Sequence, residues 1–310
     1  MQSAQANHDT PLLFPYVVKD TNRTTVVTLI GQGNPVANGP EIHLQYWTKS
    51  TTDANTAACQ PSSTTMTFTD NDIVTFDTAG LAGAGPLFGD TTNLAPLGTS
   101  ISYPGPRHGY LLAEWLNAGG GHGYWLEVDL ANGGAHGDFA YSSGGSSDFS
   151  GAIGNLSLQP YDGTPGFGGN NRSVPFWPAS VVSTVFTVTP LGTAMATNDN
   201  SQVVMHVRNA NGVQGAYDRN ENGVDGTVPQ TVRCVGRLTA AQLMPGVVAN
   251  ASWAATGGWG FLVNLGNGDT NFTEFAPNDL PAAMYQVDTS NVGGAGKFMD
   301  NAIRIVNNHD

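Results

Sequence analysis

At 310 residues and 32.3 kDa the chain has the length of two β-domains in tandem, with 40% hydrophobic and only 11% charged residues, well under the usual quarter. Its net charge of −13 arises from scarce bases, 11 Lys and Arg against 24 Asp and Glu. Disorder, which needs dense charge with low hydrophobicity, and phosphate recognition by clustered bases are both argued against, and no stretch approaches the ~18–20 apolar residues of a membrane helix.

The first ten residues lack a basic and then apolar leader and read as the start of a mature secreted chain whose signal peptide has been removed. The first strand signal is the apolar run Leu12, Leu13, Phe14, Pro15, Tyr16, Val17, Val18. A proline removes a ladder donor, so this run is expected at a sheet edge. Strands follow at 24–30, at 42–47, where Ile42, Leu44 and Tyr46 alternate with His43, Gln45 and Trp47, and at 64–69 and 73–76. Residues 79–106 read as a long Gly/Pro/Ala-rich loop, and 142–175 as a Gly/Ser/Asn-rich one that divides a domain 1–175 from a domain 176–310. Strand rhythm resumes at 180–188, 202–207, 231–238, 259–264, 283–287 and 302–306, with short helices expected only at 239–243 and 278–283. Short strands at this spacing indicate an all-β chain of two tandem β-sandwich domains, Ig-like or jelly-roll-like, with long Gly-rich loops.

His-Gly recurs every 14 residues, at His108-Gly109, His122-Gly123 and His136-Gly137. One strand plus one turn fits that unit, which predicts two or three strands of one sheet with the histidines at strand starts facing solvent. Antiparallel order sets His122 at the opposite end from the other two, leaving only a His108–His136 pair for a metal. Glu127 and Asp129 share a strand face by period two and are carboxylates a secreted hydrolase would use; an outward polar face opposite Leu126 and Val128 accounts for them without further assumptions and is the preferred reading. Gly-x-Ser-x-Gly is absent, so no nucleophile motif supports catalysis.

The best ligand pattern is Asp218-Arg219-Asn220-Glu221-Asn222-Gly223-Val224-Asp225. Oxygen donors at its first, third and fifth positions, then Gly and a backbone carbonyl, open like a calcium loop. Asp218, Asn220, Asn222, Val224 and Asp225 are the candidate calcium ligands. The bidentate Glu expected at position twelve is replaced by Pro229, and a solvated Asn-Gly turn accounts for the same residues. Trp177, Trp253 and Trp259 lie near predicted loops, where aromatic rings stack on sugars or fill a core. Cys59 and Cys234, the only cysteines, belong to no Cys-x-x-Cys pair and are expected to form one disulfide in an oxidising compartment.

Several segments together resemble a family of uncharacterised secreted proteins of Gram-negative bacteria. The resemblance lies in the 12–18 run with Thr24-Thr25-Val26-Val27, the aromatic strand 43–47, Cys59, Asp72-Ile73-Val74-Thr75-Phe76, Gly109-Tyr110-Leu111, and Tyr217-Asp218 with Asn220-Glu221 ahead of Cys234. It implies secretion and β-structure and supplies no catalytic residue.

The sequence is therefore read as a non-catalytic extracellular structural protein, a subunit of a surface layer or filament that self-associates through β-strand edges. With three lysines in the whole chain, edge strands lack the charge that blocks edge pairing, and residues 12–18 are the expected assembly strand. The alternatives are a secreted module that binds a surface glycan, with or without calcium, and a secreted hydrolase.

Overall fold

The computed structural model describes residues 12–33, 41–67, 73–79, 100–115, 119–131, 133–142, 172–191, 195, 198, 200–208, 215–265, 282–290 and 299–304. It is mostly β, 63% strand, in three antiparallel sheets, one a curled half-barrel, with no helix of seven residues or more among the described residues. The chain forms two compact units, one of Met1–Ala131, Ala135–Gln159 and Gly192–Asn200, the other of Asn132–Gly134, Pro160–Leu191 and Ser201–Asp310. A division at 175/176 would cut a strand, Arg172–Phe176, that pairs wholly with Gly258–Leu262; the change of unit precedes it, at 159/160.

Nine strands make the first sheet: β1 (Leu12–Lys19), β2 (Arg23–Gly33), β3 (Glu41–Ser50), β4 (Gln60–Thr67), β5 (Ile73–Asp77), β6 (Arg107–Trp115), β7 (Gly119–Asp129), β8 (Gly134–Phe139) and β9 (Tyr141–Ser142). Their order is β4-β3-β6-β1-β2-β7-β8, with β5 on β2 and β9 on β1. Strand β1 is thus central, which corrects the edge position expected from Pro15. It pairs β6 from Leu12↔Ala113 to Lys19↔Arg107 and meets β9 and β2 on its other side. The register slips between Phe14 and Val17, so the proline sits at a bulge, where a ladder donor is not needed. Leu12, Leu13, Phe14, Tyr16, Val17 and Val18 are all buried. Burial of both faces explains why this run is continuously apolar instead of alternating.

The His-Gly repeats lie in one sheet, but β6 is separated from β7 by β1 and β2. His108 and His136 are buried, which corrects the solvent-facing expectation. Each lies edge-on to an aromatic ring, His108 to Tyr16 at 6.3 Å and His136 to Trp125 at 5.5 Å between centroids. The following glycines have one purpose: a Cβ on Gly109 or Gly137 would collide with the carbonyl oxygen of Trp47 or Trp125 on the neighbouring strand. The first and third copies thus record a close approach of backbones, whereas a Cβ on Gly123 would meet the Phe14 ring.

The remaining elements are β10 (Arg172–Phe176), β11 (Val182–Pro190), β12 (Gln202–Arg208), β13 (Ala216–Asp218), β14 (Gly223–Val224), β15 (Gln230–Arg233), β16 (Gly236–Thr239), α1 (Ala240–Leu243), α2 (Pro245–Ala249), α3 (Ala251–Thr256), β17 (Gly258–Leu265), β18 (Ala282–Ser290) and β19 (Met299–Arg304). One sheet runs β14-β13-β17-β12-β15 with β10 on β17, the other β16-β11-β18-β19. Phe176, Met205 and Leu262 from the first, Phe186 and Met284 from the second, and Trp253 from α3 belong to one apolar cluster. Trp253 is therefore a core residue; aromatic burial of this kind stabilises by area. The helix expected at 239–243 forms as α1, its start fixed by a reciprocal Thr239–Gln242 capping box. Of the helix expected at 278–283, only Ala282 and Ala283 are described, and they open β18.

Cys59 and Cys234 are joined in a disulfide. Both are buried. The Cys59 N–H donates to the Asn200 side-chain oxygen at 2.7 Å, and the Cys234 N–H to the Ser201 carbonyl at 2.9 Å. Asn200 and Cys234 both have left-handed backbone, φ 48° and 64°. Asparagine tolerates that conformation; cysteine adopts it at a cost the surrounding contacts must offset.

Candidate functional site

The two ends of the main path of the nine-stranded sheet are open among the described residues, and β5 and β9, off that path, likewise have one partner each. Strand β4 ends the path on one side and β8 on the other, and among the described residues no further strand pairs with either. All eight residues of β4 are uncharged: Gln60, Pro61, Ser62, Ser63, Thr64, Thr65, Met66 and Thr67. Gln60, Pro61, Ser63 and Thr65 are exposed, Ser62 and Thr64 half-buried and Met66 buried. Pairing with β3 runs unbroken from Thr48↔Gln60 to Glu41↔Thr67. The Tyr103 hydroxyl donates to the Pro61 carbonyl at 2.8 Å and closes the proline end of the edge.

Neither described lysine guards an edge. The Lys19 ammonium donates to the carbonyls of Ile101 (2.7 Å) and Tyr103 (3.1 Å), and burial, then the Arg107 charge, hold its pKa below the usual lysine value. Lys49 is buried and donates to the carbonyls of Ala54, Asn55 and Ala57 at 3.0–3.2 Å. It thereby shapes the turn that leads into Cys59. Sequence reading counted the lysines and missed this use of them, because three carbonyls from a loop leave no pattern in side-chain types.

Glu127 is buried at the centre of a polar chain. Its Oε2 lies 3.5 Å from His136 Nε2 and its Oε1 3.7 Å from an Arg23 nitrogen. Arg23 also clasps Asp20, at 2.6 and 2.7 Å. Burial raises the Asp20 pKa, but the Asn22 N–H and the Arg23 charge outweigh it and hold the carboxyl below its ordinary range. Asp129, half-buried on the same strand face, pairs across to Arg23. A Glu127–His136 couple of this kind is what proton-transfer chemistry uses, and charge neutralisation inside a sheet uses it as well. His108 lies on β6, away from the β7–β8 pair that carries His136.

Asp218, Asn220, Asn222, Val224 and Asp225 fold as the β13–β14 hairpin and its flank. The Asp218 carboxylate is turned toward its own loop. Its Oδ1 accepts the N–H groups of Asn220 (2.8 Å) and Asn222 (2.9 Å), and its Oδ2 accepts the Ser252 hydroxyl (3.0 Å) and the Asn222 amide (3.2 Å). These bonds, the Asn222 N–H first, hold its pKa below the ordinary aspartate value. Glu221 takes left-handed backbone, φ 64°, at the tip. Val224 is buried, and Asn220, Asn222 and Asp225 are exposed. Among the described residues no three His, Cys, Asp or Glu side chains gather closely enough to hold a metal ion.

The tryptophans divide by role. Trp259 is half-buried, its ring 4.8 Å from Tyr217 and 5.6 Å from Phe261, whereas Trp177 is 52% exposed. His206 and Arg208 on β12, which the sequence did not single out, are both buried. Burial, then the neighbouring Arg208 charge, lowers the His206 pKa to about 4.

No family model, curated protein or solved structure matches this chain. The functional reading therefore rests on the residues and their geometry.

Proposed function

We propose that the protein is an extracellular structural subunit that self-associates through open β-sheet edges into a surface layer or filament. The observation that carries this reading is a sheet end without charge: among the described residues β4 is a terminal strand of eight uncharged residues, closed by Pro61 and Tyr103 at one end only, while Lys19 and Lys49 are committed to backbone carbonyls. Natural edges are commonly protected by lysine, by proline, by bulges or by shortness; β4 has a proline at Pro61 alone, and the stretch beyond it is a template for pairing. The disulfide favours an oxidising, extracellular setting. Each unit is read as a β-sandwich of Ig-like or jelly-roll-like type; in the second unit the apolar cluster shared by two sheets supports this. The assembly strand is moved from residues 12–18 to β4, because β1 lies between β6 and β2, paired along β6 on one side and with β9 at Leu12 and Leu13 and β2 at Lys19 on the other.

Sedimentation velocity on the purified chain tests the proposal. The expected result is species heavier than the 32.3 kDa monomer, growing with concentration and insensitive to EDTA. A single monomeric boundary at every concentration would refute it.

A second reading is a glycan-binding module, favoured by two separate features, the exposed Trp177 and the Tyr217–Trp259 ring pair. In that reading a calcium ion held near Asp225 and Asn222 would assist. Binding to a neutral polysaccharide that Trp177→Ala abolishes and EDTA weakens would establish it.

A further inference from the structure

The partner of β4 can be named from its own pattern. In an antiparallel pair alternate residues direct both backbone groups toward the neighbour and the residues between direct theirs away. Pro61 has no N–H, and its carbonyl is taken by the Tyr103 hydroxyl, so Pro61 is one of the residues directed away from β3. By period two the others are Ser63, Thr65 and Thr67. The same strand thus carries a closed end at Pro61 and an edge of three successive outward residues beyond it.

Charge then discriminates between possible partners. A contact across a two-fold axis sets each residue against a counterpart from the same strand, so a charge near the axis meets itself. Strand β4 has no charge to meet. Strand β8 carries Asp138 and His136, with Asp138 one residue from its end. The β4 edge therefore sets no like charges together in any contact with itself, whereas a β8 contact centred near Asp138 would.

Register follows from the proline. An axis through Ser63 would set Thr65 against Pro61 of the second copy, which has no N–H and an occupied carbonyl. An axis through Thr65 avoids this, pairing Thr65 with Thr65 and Ser63 with Thr67 of the second copy. Each such pair exchanges two backbone hydrogen bonds, and the exposed Thr65 side chains form a Thr–Thr cross-strand pair, which is a favourable one.

We propose that two copies of this chain pair antiparallel through β4 about a two-fold axis at Thr65, continuing the nine-stranded sheet across the dimer. The proposal rests on the self-association reading and specifies its contact. In sedimentation velocity, wild type is expected at twice 32.3 kDa or above. Thr65→Lys sets two ammonium groups against each other and should lose this contact, with an unchanged circular dichroism spectrum and the melting temperature of dilute, dissociated wild type. Thr65→Val, uncharged and β-branched, should retain it. On non-reducing gels Thr65→Cys should cross-link to itself and Ser63→Cys should not, with Cys59–Cys234 verified intact by peptide mapping. A monomeric wild type would overturn both the contact and the self-association reading. A heavy wild type that Thr65→Lys leaves unchanged, or a cross-link from Ser63→Cys and none from Thr65→Cys, would overturn the Thr65-centred contact alone.

Discussion

Removing the Cys59–Cys234 disulfide by paired serine substitution should lower the free energy of unfolding by about 4–5 kcal/mol. The bond joins residues 175 apart in sequence (234 − 59), and a cross-link over so long a loop removes much of the entropy of the unfolded chain. Local structure supports a bond built into the fold. Lys49 organises the turn before Cys59, and Asn200 receives the Cys59 N–H. Cys234 holds left-handed backbone. Urea unfolding of wild type, of wild type in reductant and of the double-serine variant would measure the effect. The two reduced states should agree with each other and fall below the oxidised protein. A loss under about 1 kcal/mol would mean that the unfolded chain gains little freedom when the bond is cut.

Acid should destabilise the fold through His206. Its folded pKa is lowered from 6.5 to about 4 by burial and then by Arg208. Above pH 6.5 the imidazole is neutral in both states and costs nothing. As pH falls below 6.5 the unfolded chain binds a proton that the native state refuses, so stability is lost down to the folded pKa near 4. Linkage puts the slope at about 1.4 kcal/mol per pH unit and the total at roughly 3 kcal/mol. His206→Gln should start with modestly altered stability but a flatter profile between pH 6.5 and 4. The Glu127–His136 pair is retained in both proteins, so the difference between their profiles isolates His206. Parallel profiles would show that His206 is reached by protons in the native state.

The strands were largely legible because alternation survives wherever one face is more open, as at Ile42, Leu44 and Tyr46 on β3. Strand β1 was found but misplaced. A proline is a strong edge signal only when the ladder is regular, and the bulge that accommodates Pro15 leaves no separate mark in the sequence. The order β6-β1-β2-β7 was hidden for a different reason. Turn residues announce hairpins, whereas the pairing of β1 with β6 joins residues far apart in the chain and is specified only by shape and burial. Of the candidate site residues, the cysteines were paired correctly because there was only one way to pair them. Asp218 was noticed for its oxygens, and the same Asp-x-Asn-x-Asn-Gly pattern encodes the turn that occupies them. The β4 edge was half-visible: the shortage of lysine was evident, but its consequence depends on where Lys19 and Lys49 point.

Hydrogen exchange of the β4 amides as a function of protein concentration tests the central claim, that this sheet is completed by another copy of the chain. The account predicts that the Ser63, Thr65 and Thr67 N–H groups exchange quickly in dilute protein and become protected as concentration rises, while the β1 amides are protected throughout. Exchange at those three positions that is fast and independent of concentration would contradict it.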